Sequence, residues 1–595
     1  MKLTGGETIV KKLTEEKVPY IIGIPGHGVL GLFDAVRKAE KAGKIKYLQV
    51  KHEQAATAMA DGYYRVKGSP LAVFASIGPG TLNLSIGLGT AYADSTPFLA
   101  FCGDTHTNMS GVGVLQELER YHDSNISRSV EPLTKRCWRV ENANQLPRIL
   151  NNAFKEMMSG RKGPCAVTLP MDVQSQSVDN VNYAGAQKYS CLPSVDDESV
   201  EKAVKLMKTA KRPVIFVGGG ALYSKAGEII TELAEKWGAA IITTLAAKGT
   251  VKETHEQYCF HTGSKGTKIG LEISRNADVI LALGARFADE STCSYRKGAA
   301  FNFPDTKLIH VDIDAHEIGK NYPAEVGIIS DVKNFVRKVL ATEPEFTVNT
   351  EYLNEIKRLR KEWFAYVENK RKEKCDELTI SRLIGVMSDV LPEDTIISTS
   401  SGNTQAQLFQ EYCYKVPYCN LTTGGFSTMG WAVPAAMGAK LAEPDRTVVA
   451  LVGDGDFMMI LQELSTAAQY NIPVIIILAD NSGWMAIKDL QYDVLGKEGV
   501  FGNDFVKDDN RYTPDFKAIA QAFGVNAYRA DDEKTLENAI KQALSHNGPT
   551  LIHAKVSAEY PYSGGEAFGW WDVPIPTYME EKRKNYENGN SKETV

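Results

Sequence analysis

The stretch that decides the fold of this chain is Val448-Val-Ala-Leu-Val-Gly-Asp-Gly-Asp-Phe457, followed by Ile472-Pro-Val-Ile-Ile-Ile-Leu-Ala-Asp-Asn481. An apolar run ends at Gly453-Asp454-Gly455, a helical pattern follows, and a second apolar run ends at Asn481. This order predicts a strand–helix–strand unit of a parallel sheet, with a carboxylate and an amide at the carboxyl ends of neighbouring strands. Such oxygen ligands suit an octahedral Mg²⁺ beside a diphosphate, which the glycine backbone can approach closely.

A second informative segment runs from Val50 to Arg65 and places Glu53 at the start of a helix rich in small residues. The alanines of this helix suit close packing against another backbone or against a partner subunit. A glutamate in a first helical turn complements the helix dipole, and taken alone this explanation accounts for Glu53.

Composition bounds the class of protein. A chain of 595 residues with 43% apolar and 24% charged residues is typical of a soluble protein with about three domains. The net charge of −6 and the lack of a basic cluster argue against nucleic-acid binding. Nine cysteines without a Cys-x-x-Cys pair indicate a reducing compartment. The polar start and the absence of a long apolar run favour a cytoplasmic location without membrane contact.

Strand and helix patterns alternate in three blocks, which predicts the α/β class with three doubly wound parallel sheets. We expect an N-terminal domain over residues 1–180, a central Rossmann-like domain over 198–340 and a third domain over 378–560. Residues 561–595 form a C-terminal extension. Its charged, Asn-rich end after Glu580 predicts disorder.

The metal-type motif at Asp454 and the distant Glu53 together resemble the thiamine diphosphate enzymes, in particular the acetolactate synthase (acetohydroxyacid synthase)-like family. The resemblance implies pyrimidine-binding, central and diphosphate-binding domains in this order. It implies that Asp454, Asn481 and the carbonyl of Gly483 hold Mg²⁺, and that Glu53 hydrogen-bonds the aminopyrimidine ring of thiamine diphosphate. Six further segments carry the similarity: Ser76–Asn83, Leu115–Glu117, Leu133–Lys135, Ile309–Asp314, Glu317–Asn321 and Gly424–Gly430.

Two groups of residues are predicted to hold the cofactor. Met429 matches the apolar wedge beneath the bent cofactor of the family, although core packing explains most methionines. For the diphosphate, phosphate-cradling turns are predicted at Gly402, Asn403, Thr404, Gly455 and Asp456. Asp456 would serve through its backbone N–H, with its carboxylate turned away.

Three reactions are open to such a site. A carboligase joins a decarboxylated 2-oxo acid such as pyruvate to a second carbonyl compound, a decarboxylase only releases carbon dioxide, and a hydrolase cleaves a carbon–carbon bond beside a carbonyl. His27 is the candidate proton-transfer residue, with a structural histidine in the Pro-Gly turn as the alternative. Gln116 is a candidate donor to the substrate. Lys135 and Arg286 either attract a carboxylate or are solvated surface residues.

Several positions depart from the acetolactate synthase pattern. Leu490 stands where the family has a tryptophan that narrows the acceptor pocket, and His27 replaces a small residue. The flavin-contacting Gly-Met-His-Gly stretch is Gly263-Ser-Lys-Gly266 here, which argues against FAD, although Gly218–Gly220 is compatible with a nucleotide-shaped cleft. His27 and Trp570-Trp571-Asp572 are closer to the inositol-pathway hydrolases that open a cyclic diketone.

The leading hypothesis is therefore an acetolactate synthase-like carboligase, and the runner-up is a hydrolase of a cyclic or polyhydroxylated diketone. A nucleotide-binding oxidoreductase is disfavoured because Gly218–Gly220 lacks the Gly-x-Gly-x-x-Gly spacing. A catalytically silent homologue is disfavoured because Glu53, Asp454 and Asn481 are all present. The family places its cofactor between the first domain of one subunit and the third domain of another, which implies a homodimer or homotetramer.

Overall fold

The computed structural model describes residues 2–179, 181, 192–558 and 573–591. It contains three sheets of six strands, each with flanking helices, and neighbouring strands within each of these sheets are parallel. The predicted α/β class with three parallel sheets is confirmed. Within the described residues, no helix combines the length and the apolar character that crossing a lipid bilayer requires.

The first block contains a sheet of strand order β3-β2-β4-β5-β9-β8. Its strands are β1 (Leu3–Thr4), β2 (Tyr20–Gly23), β3 (Lys46–Gln49), β4 (Ala72–Ala75), β5 (Leu99–Asp104), β6 (Glu119–Arg120), β7 (Asp123–Ser124), β8 (Arg136–Arg139), β9 (Cys165–Pro170) and β10 (Ser177–Val178). Its helices are α1 (Gly5–Glu15), α2 (Leu30–Lys41), α3 (Glu53–Lys67), α4 (Pro79–Asn83), α5 (Ser85–Asp94), α6 (Ile126–Val130), α7 (Leu146–Met158) and α8 (Met171–Ser175).

The central block contains a sheet of strand order β13-β12-β11-β14-β15-β16. Its strands are β11 (Pro213–Val217), β12 (Ala240–Thr243), β13 (Tyr258–His261), β14 (Val279–Leu283), β15 (Lys307–Asp312) and β16 (Val326–Ile329). Its helices are α9 (Asp197–Met207), α10 (Gly219–Tyr223), α11 (Gly227–Trp237), α12 (Lys268–Arg275), α13 (Asp289–Thr292) and α14 (Val332–Ala341), and the long helix α15 (Thr350–Lys372) leads to the third block.

The third block contains a sheet of strand order β18-β17-β19-β20-β24-β23. Its strands are β17 (Ile396–Thr399), β18 (Asn420–Thr422), β19 (Val448–Gly453), β20 (Ile475–Asp480), β21 (Val506–Lys507), β22 (Asn510–Arg511), β23 (Asn526–Ala530) and β24 (Thr550–Lys555). Its helices are α16 (Ile380–Val390), α17 (Asn403–Glu411), α18 (Ala432–Ala442), α19 (Asp454–Met458), α20 (Glu463–Gln469), α21 (Met485–Leu495), α22 (Phe516–Ala522) and α23 (Glu533–Ser545).

The first and third blocks share one hydrophobic core, because α3 packs directly on α18 of the same chain. Two glycines make this contact close. A Cβ at Gly62 would lie 2.1 Å from the carbonyl oxygen of Ala435, and a Cβ at Gly438 would lie 2.0 Å from that of Met59. The small residues of α3 therefore pack against another backbone of the same chain.

The expectation of disorder after Glu580 is wrong for the part of the tail that the structure describes, because Glu580–Asn590 forms a helix, α24. Its many charged residues form helices readily, and Arg583 pairs with Glu587 one turn further on at 2.7 Å. Lys582 also donates hydrogen bonds to the carbonyl oxygens of Asp493 and Val494, which attach this helix to α21.

Candidate active site

The predicted diphosphate and metal residues lie at one edge of the third sheet. β17, β19 and β20 are neighbours in parallel register, with Thr399 opposite Leu451 and Gly453 opposite Ala479. The segments that follow these strands therefore begin at the same carboxyl edge, where ligands of open α/β sheets bind.

Asp454 is the buried carboxylate at this edge. It is 2% exposed, and its Oδ2 accepts a hydrogen bond of 3.1 Å from the backbone N–H of Gly483. Burial, together with the negative charge of Asp480, raises the pKa of Asp454 well above its usual range. Asn481, 8% exposed, belongs to the same turn as Gly483.

This donor set fits a hard divalent cation, because such a cation compensates a buried carboxylate and accepts amide and carbonyl oxygens. Among the described residues, no group of three or more His, Cys, Asp or Glu side chains is placed to hold a metal. A metal at Asp454 would thus rely on one carboxylate, with amide and carbonyl oxygens as the other protein ligands.

The turn that carries Asn481 and Gly483 is held by Asp480, which the sequence reasoning missed. Oδ1 of Asp480 accepts from the N–H of Ser482 at 3.0 Å, and Oδ2 lies 2.7 Å from Nε2 of His553. Lys555 Nζ lies 3.3 Å from Oδ1 of Asp480 and 2.6 Å from the Ser482 hydroxyl. These contacts stabilise Ser482 in a left-handed conformation, with φ of 58°. The position of Asp480 at the end of a buried strand was the feature of the sequence that could have predicted this role.

Gly402, Asn403 and Thr404 open α17 at the same edge. Gly402 has a φ of 132°, which side chains disfavour. Asn403 donates a 2.9 Å hydrogen bond to Asp489, while its own Oδ1 is buried without a partner in the described structure. The backbone N–H groups at the start of α17 are compatible with the predicted phosphate-binding turn. The unpaired Oδ1 of Asn403 is an acceptor, so it would need a donor and not a phosphate oxygen.

Gly455 lies under the ring of Trp484. A Cβ at Gly455 would be 2.3 Å from Cζ3 of this tryptophan, so the close approach that excludes a side chain here is to Trp484. The sequence did not predict this contact.

The Asp456 carboxylate contacts the segment that precedes α18. Its Oδ1 accepts a 2.5 Å hydrogen bond from the N–H of Gly430, and burial raises its pKa to about 7. Gly430 follows the predicted wedge Met429, which is half-buried and whose carbonyl oxygen accepts a 3.4 Å hydrogen bond from Gln54. Asp456 thereby holds the segment that carries Met429 against the start of α3.

Glu53 is the first residue of α3 and is 7% exposed. Asn83 Nδ2 donates a 2.9 Å hydrogen bond to its Oε2, and a Cβ at Gly80 would lie 3.1 Å from its Oε1. The carboxylate is therefore buried and oriented by the Gly78–Asn83 turn. Asn83 was quoted in the sequence pattern, but its contact with Glu53 was not foreseen.

His27 and Gln116 lie at the same edge of the first sheet as this turn. The N–H of Gly28 donates a 3.3 Å hydrogen bond to Ser76 Oγ, and a Cβ at Gly78 would lie 2.1 Å from the carbonyl oxygen of Gln116. Both side chains are exposed in the single chain. The backbone segments of His27 and Gln116 thus lie near the Gly78–Asn83 segment that contacts Glu53.

The two cations considered for a substrate carboxylate have other contacts. Lys135 Nζ donates to the carbonyl oxygens of Glu156 and Ser159, at 2.6 and 2.9 Å, and thereby caps the C-terminal end of α7. Its predicted role toward a carboxylate is therefore not supported. Arg286 is half-buried and donates to the carbonyl oxygen of Ala93 at 2.8 Å.

A cavity of about 280 Å³ lies at the carboxyl edge of the central sheet and extends to the first and third blocks. Its walls include Gly219, Gly220, Arg161, Arg286, Glu290 and Asp312. The altered Gly263–Gly266 stretch packs beside it, since the N–H of Ser264 donates to the carbonyl oxygen of Glu290 at 2.7 Å.

Two features of the sequence relevant to substrate choice are Leu490 and the segment Trp570-Trp571-Asp572. Leu490 lies half-buried on α21. Trp570-Trp571-Asp572 lies outside the described residues.

Comparison with known families matches the three blocks in order. The N-terminal TPP binding domain of thiamine pyrophosphate enzymes matches residues 3–124, their central domain matches residues 200–339, and their C-terminal TPP binding domain matches residues 400–554.

Individual relatives match nearly the whole chain. It is 32% identical to the probable acetolactate synthase large subunit of Methanococcus aeolicus, over 92% of this chain and 91% of the relative. It is 33% identical to that of Methanocaldococcus jannaschii over the same shares, and 31% identical to the acetolactate synthase isozyme 1 large subunit of Escherichia coli, over 94% and 95%. The chain therefore belongs to the thiamine pyrophosphate enzymes, and within them to the acetolactate synthase-like family.

Proposed function

We propose that this protein is a thiamine diphosphate- and Mg²⁺-dependent carboligase of the acetolactate synthase type. It would decarboxylate a 2-oxo acid, most simply pyruvate, and join the remaining fragment to the carbonyl carbon of a second compound. The observation that carries the proposal is the buried Glu53 carboxylate, oriented by Asn83, in a chain whose third sheet presents Asp454, Asn481 and Gly483 at one edge.

One group of residues would bind the diphosphate end of the cofactor, and another would contact its aminopyrimidine end. Asp454, Asn481 and the Gly483 carbonyl would hold Mg²⁺, with the backbone of Gly402–Thr404 and of Gly455 and Asp456 around the diphosphate. Glu53 would hold a proton against the aminopyrimidine ring. Met429 would pack its apolar side chain against the cofactor. When bound, thiamine diphosphate supplies a nucleophilic carbon that stabilises negative charge beside a carbonyl.

His27 and Gln116 are proposed to act on the substrate rather than on the cofactor. Their segments contact Ser76 and Gly78, next to the turn that holds Glu53. A histidine imidazole can exchange protons with alkoxide oxygens at neutral pH. A glutamine can donate to a carbonyl or carboxylate oxygen.

A second copy of the chain is the proposed partner, with a homodimer as the smallest active unit. Apolar side chains near Glu53 are exposed in the single chain, among them Leu82 at 39%, Ile86 at 48% and Leu115 at 77%. Apolar surface concentrated beside a site of this kind supports burial against another subunit.

The reaction has no net oxidation or reduction, so it needs no electron transfer from FAD. The central cavity has walls compatible with a nucleotide, while Gly263–Gly266 lacks the family's flavin-contacting sequence. The proposed reaction therefore assigns no chemical role to FAD. An absorption spectrum of the purified protein would show whether a flavin copurifies.

The test is a turnover assay with purified protein, thiamine diphosphate, Mg²⁺ and pyruvate, in which acetolactate and carbon dioxide are both measured. Acetolactate formation supports the carboligase, whereas carbon dioxide without acetolactate would indicate a decarboxylase. Silence toward pyruvate in cofactor-bound protein would contradict the proposed donor and direct the search to diketone cleavage. Glu53→Gln is the matched control and should lose turnover by about 10²- to 10⁴-fold while still binding cofactor.

A further inference from the structure

A buried carboxylate of the third block, Glu463, contacts the backbone just before Glu53. Glu463 is the first residue of α20 and is 0% exposed. Its Oε1 accepts hydrogen bonds from the N–H groups of Lys51 and His52, at 3.0 and 2.9 Å. Its Oε2 accepts from the Thr466 hydroxyl at 2.6 Å and lies 3.3 Å from the Lys51 nitrogen.

These two amides lie at the entry to α3. His52 is the N-cap of this helix, and its Nδ1 accepts a 3.2 Å hydrogen bond from the N–H of Gln54. Glu53 lies between His52 and Gln54 in the sequence. The backbone that carries Glu53 is thus held by Glu463, while its carboxylate is held by Asn83.

Through one short segment, the contact also connects the backbone before Glu53 to Asp454 of the same chain. α19 begins at Asp454, the proposed metal ligand, and the chain reaches Glu463 at the start of α20. Movement of this segment relative to the first block would therefore displace the backbone before Glu53.

Burying a carboxylate costs free energy, because its charge loses contact with water. Packing of the two blocks against each other does not by itself require such a group. The ammonium of Lys51 binds Gln469 Oε1 at 2.7 Å, so it offsets this cost only in part, through its charge. Burial accordingly raises the pKa of Glu463 to about 7. What the carboxylate provides is an acceptor for two adjacent N–H groups, which an apolar side chain cannot supply.

We propose that Glu463 is a positioning residue for Glu53, which fixes the start of α3 relative to the diphosphate-binding block of the same chain. This inference rests on the proposed role of Glu53 toward the cofactor. Because small displacements of a reacting group can cost about 10²-fold in rate, loss of the two backbone hydrogen bonds would slow the chemistry without removing any contact to cofactor or metal.

The experiment compares Glu463→Ala, Glu463→Gln and Glu53→Gln in the full chain with thiamine diphosphate and Mg²⁺. The direct readout is the rate of hydrogen–deuterium exchange at C2 of the bound thiazolium, measured after acid quench, together with the cofactor Kd and amide exchange of residues 50–55. In Glu463→Ala we expect slower C2 exchange, by about 10- to 100-fold, faster amide exchange at residues 50–55 and little change in Kd. Glu463→Gln should stay close to the wild type, because its amide oxygen can accept from both N–H groups.

Thr466→Val is the matched control. It removes the third hydrogen bond to Glu463 and leaves the two backbone bonds, so C2 exchange should stay as in the wild type. If Glu463→Ala does not fold, Glu463→Asp replaces it, since the shorter side chain keeps the charge and loses reach to the two amides. C2 exchange at the wild-type rate in Glu463→Asp would overturn the inference.

The outcomes separate this inference from the proposed function. Normal C2 exchange in Glu463→Ala with slow exchange in Glu53→Gln would overturn the positioning role and leave the role of Glu53 intact. Normal exchange in Glu53→Gln would overturn the role of Glu53 itself. A parallel loss of thermal stability, cofactor affinity and C2 exchange in both Glu463→Ala and Glu463→Gln would show a purely structural role and would also overturn the inference.

Discussion

The side-chain amide of Asn83 donates a hydrogen bond of 2.9 Å to Oε2 of Glu53. Asn83 ends α4 and Glu53 begins α3, so two separate helices of the first block meet at this carboxylate. Because the bond fixes the rotation of the carboxylate, the role of Glu53 toward a cofactor depends on a residue that need not touch the cofactor.

Asn83→Ala should therefore lower kcat by about tenfold or more, because a hydrogen bond to a charged group contributes roughly 1.5–3 kcal/mol. The cofactor Kd should change much less, since the diphosphate and metal contacts lie in the third block. Steady-state kinetics and a cofactor titration measure both quantities. Asn144→Ala, at an exposed position, is the control, and an unchanged kcat in Asn83→Ala would refute the orienting role.

Asp454→Asn tests the metal site. Asparagine keeps an oxygen that can accept from the Gly483 N–H, so the turn should persist, but the negative charge that attracts Mg²⁺ is lost. We expect the Mg²⁺ concentration for half-maximal activity to rise by about 10- to 100-fold. The exposed Asp445→Asn should leave it unchanged. An Asp454→Asn enzyme with wild-type Mg²⁺ dependence would place the metal elsewhere.

The sequence predicted Asp454 and Asn481 because a parallel strand delivers its next residue to a known edge of the sheet. It predicted the glutamate of α3 only through the family resemblance, since a first-turn glutamate is explained equally well by the helix dipole. The structure adds contacts that no periodicity encodes: Asn83 with Glu53, Glu463 with Lys51, and Trp484 with Gly455. These join residues whose proximity depends on how the blocks and loops pack.

Lys135 is a residue whose role was predicted from the sequence but is not supported by the structure. A lysine in a family-matched segment is easily interpreted as a partner for a substrate carboxylate, but its ammonium binds the last carbonyls of α7. Since the C-terminal end of any helix offers such acceptors, its use was decided by the packing of α7 and could not be predicted from residue type.

Gly455→Ala should weaken the fold at the diphosphate turn, because the new methyl group would meet the Trp484 ring at 2.3 Å. Overpacking of this kind costs about 1–3 kcal/mol. We expect a lower Tm and a weaker apparent affinity for thiamine diphosphate. In a Trp484→Ala background, which lacks the clashing ring, Gly455→Ala should lower Tm much less than in the wild type. An equal loss of Tm in both backgrounds would show that the Trp484 ring is not the reason for a glycine at position 455.

Glu411 provides a pH-dependent test of the third block. It ends α17, it is 8% exposed, and its Oε1 accepts a 2.7 Å hydrogen bond from Ser381. Burial raises the pKa of Glu411 to about 7, above the usual value of 4.5. The folded protein thus binds this proton more tightly than the unfolded chain, and the resulting stability is present at low pH and lost as the pH rises from about 4.5 to about 7.

Glu411→Gln removes the titrating group and should stabilise the protein relative to the wild type at pH 8, by up to about 3 kcal/mol in the free energy of unfolding, and much less at pH 5. Thermal unfolding of both proteins at the two pH values measures the difference. Glu498→Gln, at an exposed position, should show no such pH-dependent gain. An equal gain at both pH values would show that the burial of Glu411 does not govern the pH dependence of stability. A loss at pH 8 would show instead that a neighbouring cation stabilises the Glu411 carboxylate.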